Sequence, residues 1–147
     1  MGTAGRDGGE PIVIVVGFDG SPTSLHAGAY AAGLARRQRA RLVVVHVQAP
    51  PALSLLAAEH PWQVEETLVA VSEDLRRQVE AGAASAGVAA EFVVARGDPY
   101  TELSRIAARV RADAVVVGAS TQAGHRIMGS LAVRLVRAGR WPVIVVP

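Results

Sequence analysis

The sequence predicts an α/β domain, a doubly wound parallel sheet of five strands with helices between them. Three observations lead there. Five short apolar runs recur along the chain, each rich in β-branched residues and continuous rather than alternating, as in strands buried on both faces of a parallel sheet. Segments of helical period separate them, which gives the order βαβαβαβαβ. Polar and glycine residues cluster just after the runs, where ligands bind in open α/β sheets.

The first run, IVIVV at 12–16, leads into Gly17-Phe18-Asp19-Gly20-Ser21 and an Ala- and Leu-rich helix over 21–40 that opens with Ser21-Pro22. LVVVHV at 42–47 is the second strand. The next helix spans Gln63 to Gly87, with Val64, Leu68, Val71, Leu75 and Val79 on one face. EFVVA at 91–95 precedes a helix with Asp98 as N-cap and Pro99 at its first position, whose Leu103, Ile106, Ala107 and Val110 follow the amphipathic template. AVVVG at 114–118 ends in a loop, Ser130 caps a last helix over 130–139, and VIVV at 143–146 is the fifth strand. The right-handed crossover rule leaves few topologies for this order.

The 147 residues suit one domain, over 11–147, behind a small, polar, glycine-rich arm at 1–10. Aromatics are only 4% of the chain, so Val, Leu, Ile and Ala make the core. The absence of cysteine excludes disulfides, thiolate metal sites and cysteine nucleophiles, and suits a reducing, cytoplasmic setting. No metal site is evident. All 15 basic residues are arginine, against 13 acids. The dense cluster Arg36, Arg37, Arg39 and Arg41 falls at a helix C-terminus, where cations complement the dipole, and reads as a solvated cap. Groove-reading motifs and interleaved aromatics are absent, so no nucleic-acid partner is expected. The longest uncharged stretch, Leu42 to Ala58, is broken by His46, Pro50 and Pro51, so no membrane association is expected either.

The loop Gly118 to Ser130 is the focus for chemistry. Gly124-x4-Gly129 half-matches a P-loop, but Ser130 stands where that pattern needs lysine. Gly118-Ala119-Ser120 starts like a nucleophile elbow, yet position 122 is Gln, and no catalytic set is assigned. A receiver domain needs a lysine, and the chain has none. Asp19 has two readings: an acceptor for ribose hydroxyls, or a turn-closing and helix-capping residue. His46, inside an apolar strand, reads as a buried histidine bonded to backbone. Arg126, beside His125 in the loop, has a fork of donors suited to phosphate; the alternative is an ion pair or solvent exposure.

Four blocks, IVVGFDGSPTSLHAGAYAAGLA, VVVHV, GDPYTELSRIAA and GSLAVRLVRAGRWPVIVV, resemble in order and spacing the universal stress protein family, from about Ile12 to Pro147. The resemblance implies a Rossmann-like fold with strand order 3-2-1-4-5 and a homodimer. In the ATP-binding members Asp19 matches the ribose-binding aspartate and Val47 the adenine-contacting end of the second strand. The phosphate loop follows G-x2-G-x9-G-[ST], where Gly118, Gly129 and Ser130 match. Thr121 replaces the second glycine, and seven residues rather than nine separate it from Gly129. Threonine resists a left-handed backbone and close phosphate approach. The expectation is a dimeric stress-response module with a degenerate loop and weak or no binding of ATP; the alternative is an adenine-nucleotide sensor using the family site. The apolar edge strand Val143 to Val146 is the expected dimer seam. The long connection Gln48 to Trp62 is expected to fold over the ligand edge as a partial lid.

Overall fold

A computed structural model describes residues 9–48, 61–120 and 129–147. In chain order the elements are β1 (Val13–Gly17), α1 (Pro22–Gln38), β2 (Arg41–Gln48), α2 (Pro61–Ala86), β3 (Ala90–Arg96), α3 (Pro99–Arg109), β4 (Ala114–Gly118), α4 (Ser130–Ala138) and β5 (Val143–Val146). The five strands form one parallel sheet in the order β3-β2-β1-β4-β5, with Val15 level with Val43 on one side and Val115 on the other. The predicted doubly wound sheet and its order are both observed.

Because successive strand residues face opposite ways, each apolar run feeds two cores. Val13, Val15, Val43, Val45, Val115 and Val117 pack with Leu103, Ile106 and Ala107 of α3 and with Ala132 and Leu135 of α4. Ile14, Val16, Leu42, Val44 and Val116 face the other way, toward α1 and Leu75 of α2. The stripe α1 turns inward is Ala27, Ala31 and Ala35, each at most 1% exposed. Methyl groups at every fourth residue let that helix lie close on the sheet, which explains how a core so poor in aromatics fills its space.

Three expectations need correction. Burial on both faces holds for the central strands β1, β2 and β4, while β3 and β5 are the sheet's edges: β5 is half-buried throughout and most of β3 is exposed. On α2 the inward position is Ser72, not Val71, which is 44% exposed. Its hydroxyl bonds Gln48 Nε2, and Gln48, at the buried end of β2, also donates to the Leu68 carbonyl at 3.0 Å. Gln48 Oε1 accepts from Arg96 Nε at 3.1 Å, and Arg96 pairs with Glu65. A buried amide needs partners, and that requirement sets the rotation of α2. Finally, Ser130 is the first helical residue of α4, and Gly129 is its N-cap.

All four described helices end in a left-handed residue that closes the last turn. Gly87 (φ 66°) and Gly139 (φ 62°) serve α2 and α4. The same position after α1 and α3 is held by Arg39 (φ 53°) and Arg111 (φ 54°). There Ala40 N bonds Ala35 O at 2.8 Å and Ala112 N bonds Ala107 O at 2.9 Å. A side chain in this conformation costs about 1 kcal/mol.

Candidate functional site

At the carboxyl ends of β1, β2 and β4 the sheet opens into a cavity of about 560 Å³. Asp19, Val47, Gly118, Gly129 and Ser130 all line it. Arg126, Thr121 and His125 lie outside the described residues, as does most of the proposed lid, of which Gln48, Pro61 and Trp62 alone are described.

The β1 side is a tight turn. Asp19 Oδ1 accepts from Ser21 N at 2.9 Å, and Asp19 N donates to Ser24 Oγ at 3.3 Å. Ser21 rather than Asp19 caps α1, its Oγ accepting from Ser24 N at 3.2 Å. Asp19 therefore closes the turn, and the same turn presents it to the cavity. Partial burial pushes its pKa up, but the hydrogen bonds from Ser21 and Ser24 and the charge of His46 outweigh that and hold it below the usual value. A carboxylate is thus fixed at the mouth in its ionised, accepting form. His46 itself is buried on the opposite side of β2 from Val45 and Val47, where Nδ1 donates to the Phe18 carbonyl at 3.0 Å. It is the backbone-bonded histidine expected from sequence, and it braces the turn from behind.

Gly118 ends β4 beneath the first turn of α1. A Cβ there would lie 2.7 Å from both the carbonyl carbon and oxygen of Thr23 and 2.9 Å from Ser24 N. One at Gly129 would lie 2.9 Å from Ser120 Cβ. Both glycines are thus required by the approach of the cavity's own walls, whatever occupies it. Sequence reasoning assigned them to phosphate and missed this, because nothing local in the chain marks a contact between β4 and α1.

Gly129 has no side chain to cap α4, and among the described residues no side chain caps that helix start. Its first-turn residues Ser130, Leu131 and Ala132 line the cavity, and the first helical bond is Val133 N to Gly129 O at 3.1 Å. Uncapped N–H groups at the positive end of a helix favour an anion. The remaining wall combines Val45, Leu103 and Val117 with the hydroxyl of Ser120, which the sequence places in the loop after β4, and that of Thr23, which sequence reasoning did not single out. Leu103 was legible as core, but its place beneath the ligand edge follows only from the packing of α3. Among the described lining residues Asp19 is the one that carries a charge, and among the described residues no group of three potential ligands could hold a metal ion. The arrangement suits a ligand with an apolar, flat part, hydroxyls for Asp19 and a modest negative charge for α4.

The model of the universal stress protein family matches residues 13–147. The chain belongs to that family. It is 29% identical over 136 residues to the universal stress protein MJ0531 of Methanocaldococcus jannaschii, covering 90% of this chain and 80% of that relative. A universal stress protein family structure from Burkholderia pseudomallei superposes with a TM-score of 0.70 at 30% identity, over 92% of this chain and 95% of that one. A universal stress protein solved in complex with cAMP gives a TM-score of 0.71 at 27% identity, over 93% of this chain and 97% of that one. Among the described residues no helix is long and apolar enough to cross a membrane.

Proposed function

We propose that this universal stress protein is a cytoplasmic, homodimeric stress-response module whose strand-end cavity takes an adenine nucleotide of low charge and binds ATP weakly or not at all. The observation that carries the reading is the cavity's charge balance. It sets one ionised carboxylate, Asp19, and one uncapped helix start, α4, against the ligand, with no cationic side chain among its described lining residues. An exposed helix start favours an anion by roughly 0.3–1 kcal/mol, less than one factor of ten in affinity. That suffices for a cyclic or single phosphate and falls far short of holding a triphosphate. The complex of a similar protein with cAMP supports this choice of ligand.

Calorimetry with cAMP, AMP and ATP at modest ionic strength, on the parent, Asp19→Ala and Arg126→Ala, tests it. The expected order is cAMP or AMP ahead of ATP, with binding lost in Asp19→Ala. Micromolar or tighter ATP binding that Asp19→Ala abolishes overturns the reading and establishes the ATP sensor. That second reading draws its support from the five matched residues that line one cavity.

The dimer reading rests on β5, an edge strand of four half-buried apolar residues. The carbonyls of Pro142 and Val146 bond β4, so by alternation the backbone groups of Val143 and Val145 face outward, free for a second chain. Val145→Pro removes one outward N–H and is expected to give monomer by light scattering. A parent chain that stays monomeric at micromolar concentration refutes the dimer.

A further inference from the structure

The end of the sheet opposite the cavity gathers the arginines. In a parallel sheet all strands start, and all crossover helices finish, at one edge. Here α1 brings Arg36, Arg37 and Arg39 to that edge, and α3 brings Arg109 and Arg111. Arg137 and Arg140 follow from α4, and all seven are exposed. With Arg41 at the start of β2, the edge holds eight arginines against three carboxylates, Glu10, Glu91 and Asp113. Elsewhere the described residues hold five arginines against eight carboxylates, so the described part of the molecule is electrically polarised although the chain's net charge is only +2.

Helix capping does not account for this. One cation per helix end complements the dipole, and its effect fades within a turn. Among the described residues Arg36, Arg37, Arg39, Arg109 and Arg137 make no ion pair. Arg39 and Arg111 occupy left-handed positions that glycine fills at the other two helix ends, so arginine stands there against the backbone's preference. A local rule broken twice, by the same residue type and at the same face, points to a role for the face.

We infer that this arginine edge is a docking surface for an acidic protein segment, a chain bearing several Asp or Glu side chains. One feature favours carboxylates on a peptide over a nucleic acid or a membrane. The face already pairs with protein carboxylates: in residues 9–12, which lead into β1 without regular structure, Glu10 pairs with Arg111 at 3.4 Å, and Glu91 of β3 pairs with Arg41 at 3.4 Å. From β2 to β5 is three strand spacings, about 14 Å, a reach of four or five residues of extended peptide. The aromatic ring beside these arginines, Trp141, lies under Arg140 at 4.4 Å and is occupied.

The test is fluorescence anisotropy of a labelled ten-residue glutamate peptide at low salt, with a ten-nucleotide thymidine strand and vesicles containing phosphatidylglycerol as competitors. Arg39→Gly/Arg111→Gly is the informative variant, because glycine suits both backbones and the fold should melt no earlier than the parent. Removing two exposed charges is expected to weaken peptide binding roughly fivefold. A second variant, Arg109→Gln/Arg137→Gln, should do the same without touching a left-handed position. Peptide binding that weakens in both variants and resists the two competitors supports the inference. No binding at millimolar peptide, binding unchanged by both variants, or displacement by the oligonucleotide or the vesicles as readily as by unlabelled peptide overturns it.

Discussion

Replacing Gly118 by alanine separates a glycine kept for a ligand from one kept for packing. The added methyl carbon would sit 2.7 Å from the Thr23 carbonyl group and 2.9 Å from Ser24 N. These are backbone atoms at the start of α1, so no side chain can swing aside. The helix must move outward by several tenths of an ångström, although Ala27, Ala31 and Ala35 hold it flush against the sheet. Overpacking of this kind costs typically 1–3 kcal/mol. For a chain of this size each kcal/mol lowers the melting temperature by roughly 2–4 °C, so a drop of about 2–12 °C is expected. Gly82→Ala is the matched control, since its methyl meets nothing within 4 Å and lies within α2. It should raise stability by roughly 0.5–1 kcal/mol. Calorimetric melts of both variants without ligand decide the matter. A Gly118→Ala chain that melts within a degree of the parent refutes the packing account and returns Gly118 to the ligand.

Asp19→Asn should flatten the acid limb of stability. The folded pKa of Asp19 is lowered, so its contribution is present above the unfolded value near 3.8 and is lost as pH falls through the folded value. Urea melts between pH 2 and pH 6 should therefore show a shallower fall for the variant, and parallel curves would refute this. Gln48→Leu should cost roughly 1–3 kcal/mol by leaving the Ser72 hydroxyl and Leu68 carbonyl without the amide, and a denaturation midpoint equal to the parent's would show that this network does not hold α2.

The sheet was legible because β-branched runs, Pro at helix starts and the Asp98 cap are local signals, and the structure answers each of them. The cavity's described members were legible too, since Asp19, Val47, Gly118, Gly129 and Ser130 follow strand ends that topology must bring together. What sequence could not show depends on contacts between distant segments. Val71 and Ser72 differ by one residue, about 100° of helix rotation, and a period that tolerates either is resolved only by the amide of Gln48. Ser130 looks like a cap because serine favours that position, but Gly129 already takes the extended conformation a cap needs (φ −61°, ψ 162°). The left-handed Arg39 and Arg111 have no local signature, since arginine is an ordinary helix former.

The two edges of the sheet differ in what they permit a growing assembly to do. β3 begins Ala90-Glu91 and ends at Arg96, with both charges in ion pairs, whereas β5 carries no charged side chain. Charges on an edge strand discourage a further strand from adding. The proposed pairing through β5 would join like edge to like edge about a twofold axis, and both outer margins of the ten-stranded sheet would then be β3. Growth would then stop at two copies. A chain with VIVV at both margins would have no such stop and would be free to polymerise into a ribbon, so in the proposed dimer the charges of β3 would act as a polymerisation brake.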